Sequence, residues 1–288
     1  MTRVAFVICS GLPGVVEDDL PAARALEAMG VTVVPVSWDA PGVEWTSFDA
    51  VVIRSTWDYH LHAARYERWL RQRAAEGTRL WNPASAVIGN LHKRYLADFE
   101  RRGVPIVPTA FLDAAEGRVL AGVLDALGCD EAVVKPAVSA NAKGTWRVSR
   151  ASAEVSQPSF EAQARAGDLL VQPYLPEVAS EGEWSLMFFR GRYSHAVLKR
   201  PASGEFRVQE HLGGGAAPAE PPEEIVEQAH AALDACGSEL LYARVDGIRR
   251  AGRFLLMELE INEPSLFIGS SPGAAGRFAD AIMAVTRA

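Results

Sequence analysis

The stretch Phe254–Phe267 reads F-L-L-M-E-L-E-I-N-E-P-S-L-F. It starts as an apolar strand and turns acidic halfway. Glu258, Glu260 and Asn262 alternate with Leu259 and Ile261. Side chains alternate across a strand with period two, so the three polar groups share one face. Two carboxylates about 5 Å apart at an effective dielectric near 20 repel by roughly 3 kcal/mol. Either that face meets water and screening removes the repulsion, or a cation sits on it. Upstream, Tyr242–Gly247 reads Y-A-R-V-D-G. Leu241 to Ile248 and Phe254 to Ile261 are predicted to pair as a hairpin across Arg249 to Arg253. That pairing turns Arg244 and Asp246 toward Glu260 and Asn262. Converging Asp, Glu and Asn oxygens suit a hard cation, most simply Mg²⁺ shared with phosphates.

Outward from the hairpin, the chain changes style once. Val4 to Ile8, Val31 to Val36, Ala50 to Ile53 and Leu80-Trp81 read as strands, separated by helices over Leu20 to Met29 and Tyr66 to Ala75. Strand and helix in alternation predict a parallel α/β unit over residues 1–85. After Asn82-Pro83 the pattern becomes α+β. A helix is expected over Leu91 to Arg101. Strands are expected at Ile106 to Thr109, Glu131 to Lys135, Thr145 to Val148 and Leu169 to Gln172. A hairpin, Trp184 to Phe189 with Tyr193 to Leu198, turns at Arg190 to Arg192, and a further strand is expected at Phe206 to Gln209. Helices over Glu223 to Cys236 and Ala274 to Val285 flank the final hairpin. The division read here is 1–85, 86–180 and 181–288.

The bulk numbers narrow the function. The chain has 288 residues, 49% of them hydrophobic, and a formal charge of −7. Such acidity argues against nucleic acid as the main partner and leaves room for small basic pockets. Three widely spaced cysteines without a C-x-x-C pair point to a reducing, cytoplasmic setting. No stretch is long and apolar enough to suggest a membrane partner.

Three further segments carry candidate chemistry. In V-V-K-P-A-V-S-A-N-A-K-G-T-W, Val133 to Trp146, Lys135 closes an apolar strand, where a lone charge is costly. The small residues of Ser139 to Gly144 let backbone N–H groups approach phosphate oxygens. The Walker spacing is absent, and a lysine before a flexible turn is the plain alternative. In L-L-V-Q-P-Y-L-P-E-V, Leu169 to Val178, an extended segment can offer backbone groups to a purine edge, with Glu177 left for ribose hydroxyls; a linker is the alternative. In Ser194 to Gln209, Lys199 and Arg207 lie near the inner ends of successive strands without acidic partners close in sequence. They suit a transferring phosphoryl group, or else are solvated hairpin charges.

In order, these parts are Lys93, V-V-K-P with its small-residue loop, Q-P-Y-x-P-E, E-G-E-W-S, the Lys–Arg strand pair, the D-G strand and E-I-N-E-P-S. The series resembles the ATP-grasp superfamily, in the style of glutathione synthetase and ribosomal-protein-S6 ligase, over most of the chain. The resemblance implies a pre-ATP-grasp α/β domain followed by a two-subdomain ATP-grasp fold. It implies that Lys93 and Lys135 hold ATP phosphates under a closing loop, Ser139 to Thr145 with Gly144. It further implies Gln172 and Tyr174 at the adenine, Glu177 at the ribose, and Lys199, Arg207 and Arg244 at the reacting phosphate. Asp246, Glu260 and Asn262 would hold Mg²⁺, with Glu258 facing the same way. Two local departures stand out. His92 occupies a place where an acidic residue is common, and the loop carries one glycine.

V-V-I-R-S-T-W-D-Y, Val51 to Tyr59, with L-W-N-P resembles a narrower subgroup that includes D-cycloserine-forming synthetases. Arg54 ends a parallel strand, where open α/β sheets place ligands. One reading has Arg54 clamp a substrate carboxylate while Ser55, Thr56 and Asp58 meet its amino group. The other has Arg54 and Asp58 pair and fix the loop. The function implied is an ATP- and Mg²⁺-dependent carboxylate–amine ligase working through an acyl phosphate on an amino-acid-like small molecule, as a homo-oligomer by analogy. Within the subgroup, the reaction implied is closure of O-ureido-D-serine to D-cycloserine. Intermolecular ligation to a second amine is the enzymatic alternative, and a nucleotide-binding protein without catalysis is the other. A dinucleotide oxidoreductase fits poorly, because C-S-G-L-P-G-V after the first strand lacks G-x-G-x-x-G.

Overall fold

The computed structural model describes residues 1–115, 117–209 and 212–287. Its first sheet is built from β1 (Arg3–Ile8), β2 (Thr32–Ser37), β3 (Ala50–Ser55) and β4 (Leu80–Trp81) in the order β2-β1-β3-β4, all parallel. Continuous apolar runs make β1 and β3 strands buried on both faces. Helices α1 (Leu20–Ala28) and α2 (Ala63–Ala75) are the crossovers.

The chain then forms α3 (Ala84–Asn90) and α4 (Tyr95–Arg101). The expected single helix over Leu91 to Arg101 is therefore wrong. Its first turn is diverted at Lys93, whose backbone N–H donates to the Ala137 carbonyl at 2.9 Å. Next come β5 (Ala110–Leu112), α5 (Leu120–Leu127), β6 (Glu131–Pro136), β7 (Trp146–Ser149), α6 (Ala153–Ala166) and β8 (Leu169–Pro173). Their antiparallel sheet runs β5-β8-β6-β7. The strand expected at Ile106 to Thr109 is reduced to one bridge, Ile106 to Leu256, and pairing starts at Ala110. Helices α5 and α6 had no counterpart in the sequence reading: α5 is short, and α6 carries Pro158.

After the short α7 (Glu177–Ser180), the third sheet holds β9 (Glu183–Phe189), β10 (Arg192–Arg200), β11 (Gly215–Pro218), β12 (Tyr242–Arg250) and β13 (Arg253–Glu260). Its order is β11-β10-β9-β12-β13. Phe206 to Gln209 is no strand; β11 pairs with β10 in its place. Helices α8 (Glu223–Cys236) and α9 (Ala274–Thr286) complete the chain. No described helix is long and apolar enough to cross a membrane.

Packing joins these parts unequally. Phe6 and Leu26 of the first unit share a core with Met187, Phe189, Phe278 and Ile282. Tyr95, Leu96, Phe99 and Ile106 pack with β12, β13 and α8. Residues 95–106 thus pack against the third sheet. The middle sheet has its own core, with Leu124, Val134, Phe160 and Val171 at its centre.

Candidate active site

A cavity of about 680 Å³ opens between the middle sheet, the third sheet and the loop after β3. Its floor is the polar face of β12 and β13. Arg244 stands opposite Glu260 and Asp246 opposite Glu258, so all four side chains share one face, as the hairpin predicts. Ser185 on β9 joins them opposite Asp246. The Asp246 carboxylate accepts from Ser185 Oγ at 2.5 Å, Lys199 Nζ at 3.3 Å and Arg244 Nη2 at 2.8 Å. Arg244 Nη2 also donates to Glu260 at 2.5 Å. Burial alone would raise the Asp246 pKa, but Arg244 and Lys199 outweigh it and hold the carboxyl below its usual range. Burial pushes Glu260 up to about 7 despite Arg244. The repulsion foreseen at the sequence level is thus relieved by buried cations in the protein itself.

Lys199 also donates to Glu183 at 2.5 Å, and Arg207 pairs with Glu205 at 2.8 Å. The expectation that no acidic partner lies close in sequence is wrong for Arg207, whose partner Glu205 is two residues away, while the partner of Lys199 comes from the facing strand β9. Both cations still line the cavity. On the middle-sheet side, Lys93 Nζ donates to the Ser139 carbonyl at 2.9 Å and pairs with Glu258 at 3.0 Å. Lys135 lines the cavity without an ion-pair or hydrogen-bond partner among the described residues, and burial lowers its pKa. Ser139 and Thr145 reach the cavity. Gly144 supports the loop from behind: its φ is +74°, and a Cβ there would lie 2.9 Å from the Pro136 ring. Asn141 and Ala142 hold φ near +54° as well, so the loop takes left-handed geometry at residues other than glycine.

Gln172 and Tyr174 line the cavity, the Tyr174 ring lying 3.6 Å under the Arg147 guanidinium. Glu177 does not reach the cavity wall. It starts α7 and pairs with Arg250 at 3.1 Å, because Pro176 turns the chain away. The expected substrate set is also corrected. Arg54 is 2% exposed and pairs with Asp19 at 2.8 Å, so neither the clamp nor the Asp58 pairing holds. Ser55 Oγ donates to the same Asp19, Thr56 meets the Tyr66 hydroxyl, and Asp58 accepts from Trp38 Nε1 at 2.9 Å. None of the four lines the cavity; Trp57 and Tyr59 from the same loop do.

Among the described residues no group of three or more His, Cys, Asp or Glu side chains is arranged to hold a metal ion. The oxygen set here is smaller: Asp246, Glu260 and the amide of Asn262. Asn262 Oδ1 accepts from the Tyr66 hydroxyl at 2.7 Å, while its buried Nδ2 has no partner. A half-turn of the amide repairs this. Nδ2 then donates to Tyr66, whose proton passes to Thr56 Oγ1, and Oδ1 is released as an acceptor. Two carboxylates and one amide oxygen fit Mg²⁺ that completes its shell with phosphate and water, rather than an all-protein cage.

Sequence reasoning missed Glu263, which also lines the cavity. Burial and then Glu260 push its carboxyl up to about 8. Pro264 was the available signal, since it ends the period-two pattern after Asn262. Glu183 and Glu205 were missed too, one needing the β9–β10 register and the other a local turn.

Residues 4–82 match the family model for the N-terminal domain of D-cycloserine synthetase DcsG. The chain is 34% identical over 281 residues to the cycloserine biosynthesis protein DcsG of Streptomyces lavendulae, covering 92% of each. A crystal structure of D-cycloserine synthetase DcsG superimposes with a TM-score of 0.86 at 31% identity, covering 99% of each chain. The ATP-grasp ligase PsnB, solved with a precursor variant, Mg and ADP, shares the fold at a TM-score of 0.67 and 16% identity, with 99% of each chain covered.

Proposed function

The chain belongs to the D-cycloserine synthetase (DcsG) family of ATP-grasp ligases, and we propose that it closes O-ureido-D-serine to D-cycloserine in a reaction driven by ATP and Mg²⁺. It is an ATP-dependent carbon–nitrogen ligase. The substrate carboxylate attacks the γ-phosphorus, giving an acyl phosphate and ADP. The ureido nitrogen bonded to oxygen attacks the acyl carbon and phosphate leaves with closure of the ring. Water then cleaves the carbamoyl group from that nitrogen as carbamic acid, which breaks down to CO₂ and ammonia.

The observation that carries this reading is the floor of the cavity. Arg244, Lys199, Asp246 and Glu260 form one buried network, held rigid by β9, β10, β12 and β13. Phosphoryl transfer asks mainly for positioning and for charge already in place. Arg244 and Lys199 supply positive charge without reorganising. Lys93 and Lys135 face the phosphate chain from the middle-sheet side, and Arg207 from the β10–β11 connection. Gln172 and Tyr174 form the wall for the base. Asp246, Glu260 and Asn262 would hold Mg²⁺, which supplies charge neutralisation at the phosphates.

The test is phosphate release from MgATP over a panel of amino acids that includes O-ureido-D-serine. Release should depend on that one substrate, with a ring as product by mass spectrometry. Glu260→Gln should lower kcat at least 100-fold, about 2.7 kcal/mol of transition-state stabilisation. A conjugate product would replace the cyclisation reading by ligation to a second amine. Tight ATP binding with no substrate-dependent release from any panel member would remove the ligase reading.

A further inference from the structure

Among the described residues ten charged side chains line the cavity, and eight of them are paired. Lys93 pairs with Glu258; Lys199 with Glu183 and Asp246; Arg244 with Asp246 and Glu260; Arg207 with Glu205. The remaining two, Lys135 and Glu263, have no ion-pair or hydrogen-bond partner among the described residues, and their charges are opposite. Lys135 stands on β6 of the middle sheet, the side assigned above to phosphate. Glu263 stands on the loop after β13, at the end of the cavity formed by the first unit. Trp57 Nε1 donates to its backbone carbonyl at 3.2 Å, and its carboxylate acts electrostatically on Tyr59. The carboxylate opens into the cavity rather than being sealed in the core.

A carboxyl group beside Glu258 and Glu260 that opens into the cavity without a protein partner is completed by a cationic group of the ligand, which holds it ionised against the two neighbouring carboxylates. Both proposed reactants are anionic at the phosphate and carboxylate ends, so the charge must come from the amine of the small substrate. We propose that Glu263 binds the α-ammonium of the acyl donor and so makes the site specific for amino acids over their desamino counterparts. Calling the bound molecule the acyl donor rests on the ligase reading. The ammonium contact itself does not.

Calorimetric titration of the full chain with Mg²⁺ and a non-hydrolysable β,γ-imido ATP analogue tests this. The two probes are O-ureido-D-serine and the same molecule with hydrogen in place of the α-ammonium. Wild type should bind the amino acid at least about 30-fold more tightly, the effect of one charge-assisted contact. Glu263→Gln, which keeps size and fold, should lose most of that preference while its affinity for the desamino probe changes less than about 2-fold. Its Mg²⁺ affinity, titrated without amino acid, should not move. Equal binding of both probes by wild type, binding of neither, or equal loss of both in the variant overturns the proposal. A fall in Mg²⁺ affinity overturns it too, by making Glu263 a metal ligand. Phosphate release with O-ureido-D-serine, measured in parallel, reads the ligase proposal separately. Ammonium-dependent binding without release leaves Glu263 its role and removes the ligase; release with equal binding of both probes does the reverse.

Discussion

Among the cavity cations that have an acidic partner, Arg207 is the most exposed, at 28% of its side chain. Glu205 Oε1 accepts from its Nε and from the Phe206 and Arg207 backbone N–H groups, and Arg207, first among these, holds the Glu205 carboxyl down at about 2. To meet a phosphate oxygen, the guanidinium has to exchange this carboxylate for it. A half-exposed pair of this kind is worth up to about 1 kcal/mol, a factor of about 5 in an affinity. Glu205→Gln should therefore tighten ATP binding by about 2- to 5-fold in a fluorescence titration, and Arg207→Ala should weaken it. Unchanged or weaker binding in Glu205→Gln would show that Arg207 does not turn to the nucleotide. The competition was invisible in the strand pattern, because it lies in a turn. Asp246, Glu260 and Arg244 were legible for the opposite reason: period two in two adjacent strands fixes a face without any knowledge of the rest of the molecule.

At the scale of elements, the segment 262–268 is held from two sides: the third sheet reaches it through Arg244 to the Ser265 carbonyl at 3.1 Å, Tyr242 to the Asn262 carbonyl at 2.8 Å and His195 beside the Leu266 carbonyl at 2.9 Å, and the first unit supplies the rest. Arg54 Nη2 donates to the Pro264 carbonyl at 2.9 Å, the Tyr66 hydroxyl and the Asn262 amide share a hydrogen bond at 2.7 Å, and Asp18 accepts from the Leu266 and Ile268 N–H groups at 2.7 and 3.1 Å. Arg54 and Asp19, both 2% exposed at the side chain, form the buried pair at the base of this strap. Removing one member strands the other, which costs about 3–5 kcal/mol, whereas apolar replacement of both is close to neutral. Arg54→Met should lower the urea midpoint accordingly, and Arg54→Met with Asp19→Leu should recover most of the loss. If Arg54 instead clamps substrate, the double variant would regain stability but keep a strongly raised KM for the acyl donor. The strand that delivers Arg54 could be read from V-V-I-R, and so could its ending at a ligand-binding edge. Its partner could not, because Asp19 lies 35 positions away on the turn before α1, and only the parallel β1–β3 pairing brings the two together. The helix expected over Leu91 to Arg101 failed for a similar reason: a long-range bond from Lys93 to Ala137 outweighed local helix propensity.

Across the whole molecule, the three sheets are bound with different strength. Residues of β1, β3 and α1 share one core with β9, β10 and α9, so the first and third sheets close on each other through apolar contact. Asn82 adds a buried polar tie, giving hydrogen bonds to the Tyr242 and Ile261 carbonyls at 2.8 and 2.7 Å and accepting from Leu241 N–H at 2.7 Å. The middle sheet packs on α5 and α6 within itself, and meets the remainder through Leu170, Ala137 and Phe111 at the edge of the third-sheet core, the Lys93–Ser139 contact and a small cluster around Val107, Leu175 and Ile248. A unit with its own core and few apolar ties opens as a unit, at lower free energy than the rest. Hydrogen exchange read by mass spectrometry should show amides of β5 to β8 exchanging together, ahead of β1, β3, β9 and β12, in the ligand-free protein. On the proposed placement, Mg²⁺ with a non-hydrolysable ATP analogue would bridge Lys135 and the Ser139 loop on one side to Lys199 and Arg244 on the other. It should slow the middle-sheet amides about 10-fold or more, with little change in the first sheet, since about 1.4 kcal/mol of binding coupled to closure gives a factor of 10. Uniform exchange across all three sheets, or protection that appears only in the first, would mean that the nucleotide does not close the middle sheet onto the floor of the cavity.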